Sequence, residues 1–352
     1  MSPLRLLLAV AMLLPGGCSS LSYYTQAVRG QIGVMAASRP LQQVADDPST
    51  AESVRERLRQ LPLMIEFAVG ELGLHETRSY RLYADVGRDA LVWSVVATPF
   101  DSLQPRQWCY PIVGCASYRG YFDRDRANAH ADSLAGDGWD VAVEPVPAYS
   151  TLGWLSDPLP STVIDWRVAD SAGMVFHELA HETLYVADDS AFNEAYATVI
   201  ETEGVRRWLL HHGTPQERGE QRTQAARKQD FLALLMQTRG RLADLYDLQP
   251  APPDLAPRKQ AIFATLREAY SQLKLDWGGY SGFDRWFERP LNNARLASVG
   301  TYHALAPALR LLLQRSAGDL PAFHAACREL AKMERGQRHR YLQQLQSGVA
   351  AR

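Results

Sequence analysis

Helical spacing of apolar residues dominates this chain, and one region of strand-like alternation interrupts it. Residues 19–72 carry apolar positions three and four apart, broken at Pro40 and at Asp46, Asp47 and Pro48, which predicts two helices. Four short segments rich in β-branched and aromatic residues then predict a small sheet. They read SYRLYADV, ALVWSVVAT, SYRGYF and WDVAVEPV. One helix is predicted near residues 124–134.

Almost the whole chain after Asp165 has helical periodicity. The predicted helices cover residues 171–186, 191–211, 215–245, 257–273, 302–314 and a stretch from 320, and the polar tail beyond about Gln337 is expected to fray. We therefore predict a predominantly helical α+β fold in a single unit, residues 18–352. Residues 18–164 supply helices and a small sheet, and residues 165–352 supply the helical portion.

The first eighteen residues have the layout of a bacterial secretory signal. Arg5 precedes nine apolar residues, Leu6 to Leu14, a run too short for a bilayer span of roughly 20 residues. Pro15, Gly16 and Gly17 then lead into Cys18. Small residues before a cysteine are typical of lipoproteins, so residues 1–17 are predicted to be removed and Cys18 to be acylated. The alternative is ordinary cleavage of the signal segment, which would leave Cys18 as a free, unmodified thiol.

A lipid anchor at Cys18 would hold the protein at the periplasmic face of the cell envelope, with the outer membrane as the expected site. Exposure to an oxidising compartment favours disulfides. Cys109 and Cys115, separated by a five-residue loop, are predicted to form a local disulfide. Cys327, in a helical segment, is predicted to be a buried free thiol.

Charge and composition narrow the classes of partner. The chain has 352 residues, with 37 Lys and Arg against 39 Asp and Glu, so its formal net charge is −2. Such a balance offers no basic excess for a phosphate backbone, and no nucleic-acid partner is expected. Apolar residues at 46% indicate a globular protein. No protein partner is evident.

The segment MVFHELAHETLYV contains His177, Glu178 and His181 in the pattern His-Glu-x-x-His. On a helix, residues four apart lie on one face, so both imidazoles can reach one metal ion while Glu178 projects beside them. Two histidines and two carboxylates in an otherwise apolar helix are costly to bury unless a metal compensates them. The pattern predicts a hydrolytic zinc site with Glu178 as general base.

A hydrolytic zinc site needs a third protein ligand and an open position. Glu194 lies in the first turn of the next predicted helix, and a short helical hairpin would place it opposite His177 and His181, so we assign it as the third ligand. Asp188, Asp189 and Glu201 are the competing carboxylates. Of these, the two aspartates are expected to cap a helix and Glu201 to accept a hydrogen bond from a ligand imidazole. Glu182 is expected to be a surface or structural carboxylate.

Other parts of the cleft are open to several assignments. An oxyanion donor is expected opposite the metal, and Tyr302 is the first candidate, in a polar cluster with Asn292, Asn293, Arg295 and His303. Tyr121, from the sheet portion, is the rival. Residues 149–154 could form an edge strand that pairs with an extended peptide.

Four segments of the chain together resemble a bacterial family described as zinc aminopeptidases. They read GCSSLSYYTQAVRGQ, WCYPIVGCASYRGYF, VFHELAHETLYVADDSAFNEAYAT and NNARLASVGTYHAL. Asn-Glu-Ala after His-Glu-x-x-His also resembles the gluzincins, metallopeptidases whose zinc ligands are two His and one Glu. The resemblance implies one zinc ion per chain, a peptide substrate, and a catalytic helix pair packed with a small N-terminal mixed sheet.

The chain departs from the better-known gluzincins in two ways. Only twelve residues separate His181 from Glu194, and the Gly-x-Met-Glu-Asn element that binds a free amino terminus in classical zinc aminopeptidases is missing. The function expected is that of a zinc-dependent metallopeptidase, of aminopeptidase type. The alternatives are a lipid-anchored, non-catalytic zinc protein with a structural or assembly role, and a zinc amidase acting on cell-wall peptides.

Overall fold

The computed structural model describes residues 17–110 and 114–348. Residues 1–16, which make up most of the predicted signal segment, lie outside the described residues, as do the side chains of Cys18 and Tyr302. None of the described helices is long and apolar enough to cross a membrane.

The N-terminal portion begins with three helices and a short strand. They are α1 (Gly17–Ala36), β1 (Ser38–Pro40), α2 (Leu41–Asp46) and α3 (Glu52–Gly70). Both predicted interruptions are present, but the prediction of two helices is wrong, because they divide the segment into three. The first interruption contains β1 and separates α1 from α2, and the second separates α2 from α3. Pro40, which cannot donate a backbone hydrogen bond, is the last residue of that edge strand.

Short strands in this portion form three small sheets rather than the single sheet predicted. They are β2 (Leu82–Ala84), β3 (Val92–Thr98), β4 (Trp108–Tyr110), β5 (Gly114–Ala116), β6 (Arg119–Tyr121), β7 (Asp140–Val146) and β8 (Leu159–Pro160), with helix α4 (Arg124–Gly136) between β6 and β7. β3 lies between β6 and β7 and is antiparallel to both. β2 lies between antiparallel β1 and parallel β8, while β4 and β5 form a hairpin.

The four segments predicted as strands contain β2, β3, β6 and β7. The strands that the pattern did not reveal have only two or three residues, too few for alternation to be visible. Helix α4 covers one face of the central sheet, where its Ala127 and Leu134 pack against Val95 and Ala97 of β3.

The remainder of the described chain is helical, as predicted. Its helices are α5 (Val168–Thr183), α6 (Ser190–His212), α7 (Pro215–Tyr246), α8 (Leu255–Asp276), α9 (Asp284–Phe287), α10 (Asn293–His303), α11 (Ala306–Arg315), α12 (Leu320–Ala331) and α13 (Arg335–Gln346). The fold is therefore a predominantly helical α+β fold.

Two expectations for this portion are wrong. The segment around residues 302–314 is divided between α10 and α11 rather than being one helix. The tail beyond Gln337 does not fray, because Leu342 and Arg338 of α13 are buried. Because most of its residues are polar, the sequence pattern did not reveal the few buried residues that attach α13 to the rest of the protein.

Helices α5 and α6 lie side by side in the larger hydrophobic core. Phe176 of α5 and Phe192 of α6 are buried there together with Phe67 of α3 and Leu342 of α13. Gly204 permits the close approach, because a Cβ at that position would lie 2.7 Å from the Phe176 ring. A second core lies between α7, α8 and the aromatic segment that follows α8.

Candidate metal centre

Two adjacent helices supply the candidate ligands. α5 carries His177, Glu178 and His181, and α6 carries Glu194 in its second turn. One ligand atom from each of His177, His181 and Glu194 lies within 4.8 Å of the others. The structure therefore brings together the three residues that the sequence predicts as ligands.

Distances within the triad suit one small ion. Glu194 Oε2 lies 3.3 Å from His177 Nε2 and 3.7 Å from His181 Nε2. Ligands about 2.0–2.1 Å from a tetrahedral zinc ion are separated by roughly 3.3 Å. Two buried atoms of the triad, His181 Nδ1 and Glu194 Oε2, have no hydrogen-bond partner in the described part of the chain. An unsatisfied buried carboxylate oxygen is costly, and a cation at this place would compensate it.

The turn between α5 and α6 is held by side chains that bind its backbone. The amide of Asn193 accepts from Val186 N and donates to Val186 O, both at 2.8 Å. Asp189 caps α6 by accepting from Phe192 N at 3.2 Å. These contacts fix where α6 begins and hence where Glu194 lies relative to α5.

The competing carboxylates lie elsewhere. Asp189 is buried and binds Arg338, with Nη2 2.7 Å from Oδ2. Asp188 accepts from Cys115 N at 2.6 Å. Glu182 accepts from the hydroxyls of Thr77 and Ser79, each at 2.7 Å, which agrees with a structural carboxylate.

Glu201 occupies the place expected of it, beside a ligand imidazole. Its Oε2 lies 3.1 Å from His177 Nδ1, and Lys228 Nζ lies 3.6 Å from its Oε1. A carboxylate at Nδ1 fixes the tautomer that leaves Nε2 free to bind a metal ion and would make that nitrogen a stronger ligand.

The ionisation of this group of residues follows from burial and mutual charge. Burial alone would lower the pKa of His177, but its interactions with Glu194 and Glu201 raise it well above the usual value. Burial opposes ionisation of Glu194, yet His181 and His177 lower its pKa to about 2. Burial raises the pKa of Glu178, and the two histidines only partly offset this. Glu178 therefore binds a proton more readily than a free carboxylate, as a proton carrier requires.

His177 and Glu178 face a cleft of about 660 Å³. The other residues that line it come from the segment before α5, from α5 itself and from α6 and α7: Asp165, Trp166, Arg167, Asp170, Met174, Glu201 and Lys228. The cleft is large enough for a short peptide.

Tyr118, which the sequence analysis did not single out, lies near enough to Glu194 and Glu178 for their charges to affect its hydroxyl. Burial of its hydroxyl raises the pKa of Tyr118, and the charges of Glu194 and Glu178 add to the effect. Tyr121 instead is buried in the sheet core, with its ring 5.6 Å from that of Tyr23. Tyr118 immediately precedes β6, and the sequence does not show on which side of the sheet its ring lies.

Several other candidates have structural roles or cannot be placed. Asn292 caps α10, and Arg295 pairs with Glu144. Tyr302 belongs to α10, but its side chain lies outside the described residues. Residues 149–154 form no strand: Leu152 and Gly153 have positive φ, and Thr151 N donates to Asp157, which closes a turn. The edge-strand prediction is therefore wrong.

The hairpin of β4 and β5 rests on the turn that joins α5 and α6. Cys109 and Cys115 form a disulfide across it. Gly114 has a φ of +75°, and a Cβ there would lie 2.5 Å from Asp188 Oδ1. The hairpin also supports Tyr118, whose carbonyl accepts from the Tyr110 hydroxyl at 3.3 Å.

A comparison with known families matches residues 22–342 to the family described as "Putative aminopeptidase". The chain belongs to this family. The match covers α5, α6, the disulfide hairpin and most of α13. No curated protein and no solved structure matches the chain significantly. Membership supports peptidase activity on a peptide substrate.

Proposed function

We propose that the chain is a zinc-dependent metallopeptidase of aminopeptidase type, in which His177, His181 and Glu194 bind one zinc ion. The observation that supports this most strongly is the convergence of these three side chains at one place, where His177 and the neighbouring Glu178 also line a cleft. The family description supports the same reaction class and suggests a substrate with a free amino terminus.

Each residue has a task that follows from its surroundings. A zinc ion bound by the triad would lower the pKa of a water molecule to about 7 and polarise the substrate carbonyl. Glu178 accepts the proton of the attacking water and delivers it to the departing amine. Glu201 holds the imidazole of His177 in the orientation that ligation requires.

The metal assignment is tested by comparing two glutamates on one helix. Glu194→Ala should lose bound zinc during dialysis because a direct ligand is removed. Glu201→Ala should retain zinc, with affinity about 10- to 100-fold weaker. Metal analysis and zinc titration of the purified chain measure both, and chelation followed by zinc should abolish and restore peptide hydrolysis. Equal retention of zinc by Glu194→Ala and wild type would contradict the assignment.

Tyr118 is proposed as the hydroxyl that stabilises the developing oxyanion. Tyr118→Phe should lower kcat about 100-fold, with KM and zinc content nearly unchanged, because the hydroxyl would act only in the transition state. Tyr121→Phe is the matched control from the same segment and should retain wild-type kcat. Steady-state kinetics on a short peptide separate the two, and an unaltered kcat in Tyr118→Phe would exclude this role.

Lipid anchoring at Cys18 remains part of the proposal. It is supported by the apolar run Leu6 to Leu14 and by the small residues that precede the cysteine. Mass spectrometry of the amino terminus after expression in a bacterial host should find Cys18 as the first residue, carrying acyl chains. An unmodified terminus would remove the anchor from the proposal without affecting the metal chemistry.

A further inference from the structure

Helix α1 packs on the sheet portion through one face. The Tyr23 ring contacts Tyr121, and the side-chain amide of Gln26 binds Phe122 N at 3.1 Å and Gly120 O at 3.3 Å. Gly30 lies directly against the Phe122 ring. This face anchors the helix firmly to β6 and the residue that follows it.

The opposite face of α1 is an apolar stripe that the protein leaves exposed. Its residues are Leu21, Tyr24, Val28 and Ile32, exposed by 70%, 39%, 59% and 62%. Their spacing of three, four and four places them on one side of the helix. An open groove of about 430 Å³ runs along this stripe.

Charge and position along the chain indicate what covers the stripe. The segment Gly17–Ala36 contains no Asp or Glu, and Arg29, beside the groove, is its one charged residue. Anionic lipid headgroups would therefore meet no repulsion. The helix begins directly after the apolar run of the predicted signal, and Leu21 lies one turn beyond Cys18.

We propose that α1 lies in the plane of a lipid bilayer, with its apolar stripe inserted at the boundary between headgroups and acyl chains. This contact is separate from acylation of Cys18 and from the proposed peptidase activity. Tyr24 suits the boundary because it combines an apolar ring with a hydroxyl.

The test uses the chain from residue 18, not acylated, which retains every described element except the first residue of α1. It is sedimented with vesicles of phosphatidylethanolamine and phosphatidylglycerol. The double variant Val28→Glu, Ile32→Glu should bind the vesicles about tenfold or more weakly than wild type. The control, Leu210→Glu with Leu275→Glu, alters equally exposed leucines on α6 and α8 and should bind as wild type does. Thermal unfolding by circular dichroism should be the same for all three proteins.

Three outcomes would overturn the proposal. The wild-type chain could remain unbound at millimolar lipid, or the stripe variant could bind as well as wild type. A wild-type dimer in solution that the stripe variant dissociates would instead make the stripe an interface between two copies. Peptide hydrolysis is measured in parallel, and its presence or absence leaves the vesicle result unaffected.

Discussion

Glu178→Gln is expected to lower kcat about 100- to 10,000-fold while zinc stays bound. Glutamine has nearly the same shape as glutamate but cannot take up a proton from the attacking water. The three proposed ligands are untouched, so the metal content should equal that of wild type. Steady-state hydrolysis of a peptide library, with zinc analysis of the same preparations, measures both quantities.

A matched control for this variant lies on the neighbouring helix. Glu203→Gln changes a carboxylate that pairs with Arg206 and Arg207, away from the cleft, and should retain full activity. If Glu178→Gln keeps wild-type activity, Glu178 is not the base. If neither wild type nor variant cleaves any peptide while both hold zinc, the protein is a non-catalytic zinc protein.

Arg338→Met is expected to destabilise the protein by about 3–5 kcal/mol, because it removes the buried guanidinium that pairs with the buried Asp189 carboxylate. Arg338 and Asp189 are only 2% and 1% exposed. Arg335→Met is a close control: its guanidinium lies 4.0 Å from Asp189 but is mainly exposed, so the loss should be about 0.5 kcal/mol or less. Urea unfolding at neutral pH measures both, and equal losses would contradict the argument.

The same pair makes stability depend on pH in acid. Burial would raise the pKa of Asp189, but its contacts with His339 and Arg338 outweigh this and lower it. A carboxyl group with a lowered pKa in the folded state contributes stability above its unfolded value, near 3.9, and loses it as pH falls through the folded value. The drop in unfolding free energy below about pH 4 should therefore be smaller in Arg338→Met than in wild type.

The proximity of His177, His181 and Glu194 could be predicted from the sequence because their geometry is largely local. Residues 177, 178 and 181 lie within one turn of a helix, and a short turn limits where Glu194 can lie, so helical geometry alone brings these side chains close together. Tyr118 could not be predicted, because its position depends on how the hairpin of β4 and β5 rests on Asp188. Seventy-three positions separate the two partners of that contact, and no local pattern encodes it.

The same contrast between local patterns and contacts of distant residues explains which parts of the fold prediction are right and which are wrong. Amphipathic helices such as α5 and α12 repeat their apolar pattern over three or more turns, whereas β4 and β5 show less than two periods of alternation. Whether α13 is ordered depends on a few buried contacts, including that of Arg338 with Asp189, 149 positions away. A mostly polar helix with a few buried residues, such as Arg338, Leu342 and Leu345, has the composition of a frayed tail.

The pairing of residue 189 with residue 338 also sets an order of events during synthesis. A polypeptide that emerges amino terminus first produces α5 and α6 long before α13, and until α13 appears Asp189, the cap of α6, lacks both Arg338 and His339. The start of α6, and with it the position of Glu194, is therefore fully stabilised only when α13 is available. A chain that is truncated before α13 should hold Glu194 less firmly beside His177 and His181 than the full-length chain does.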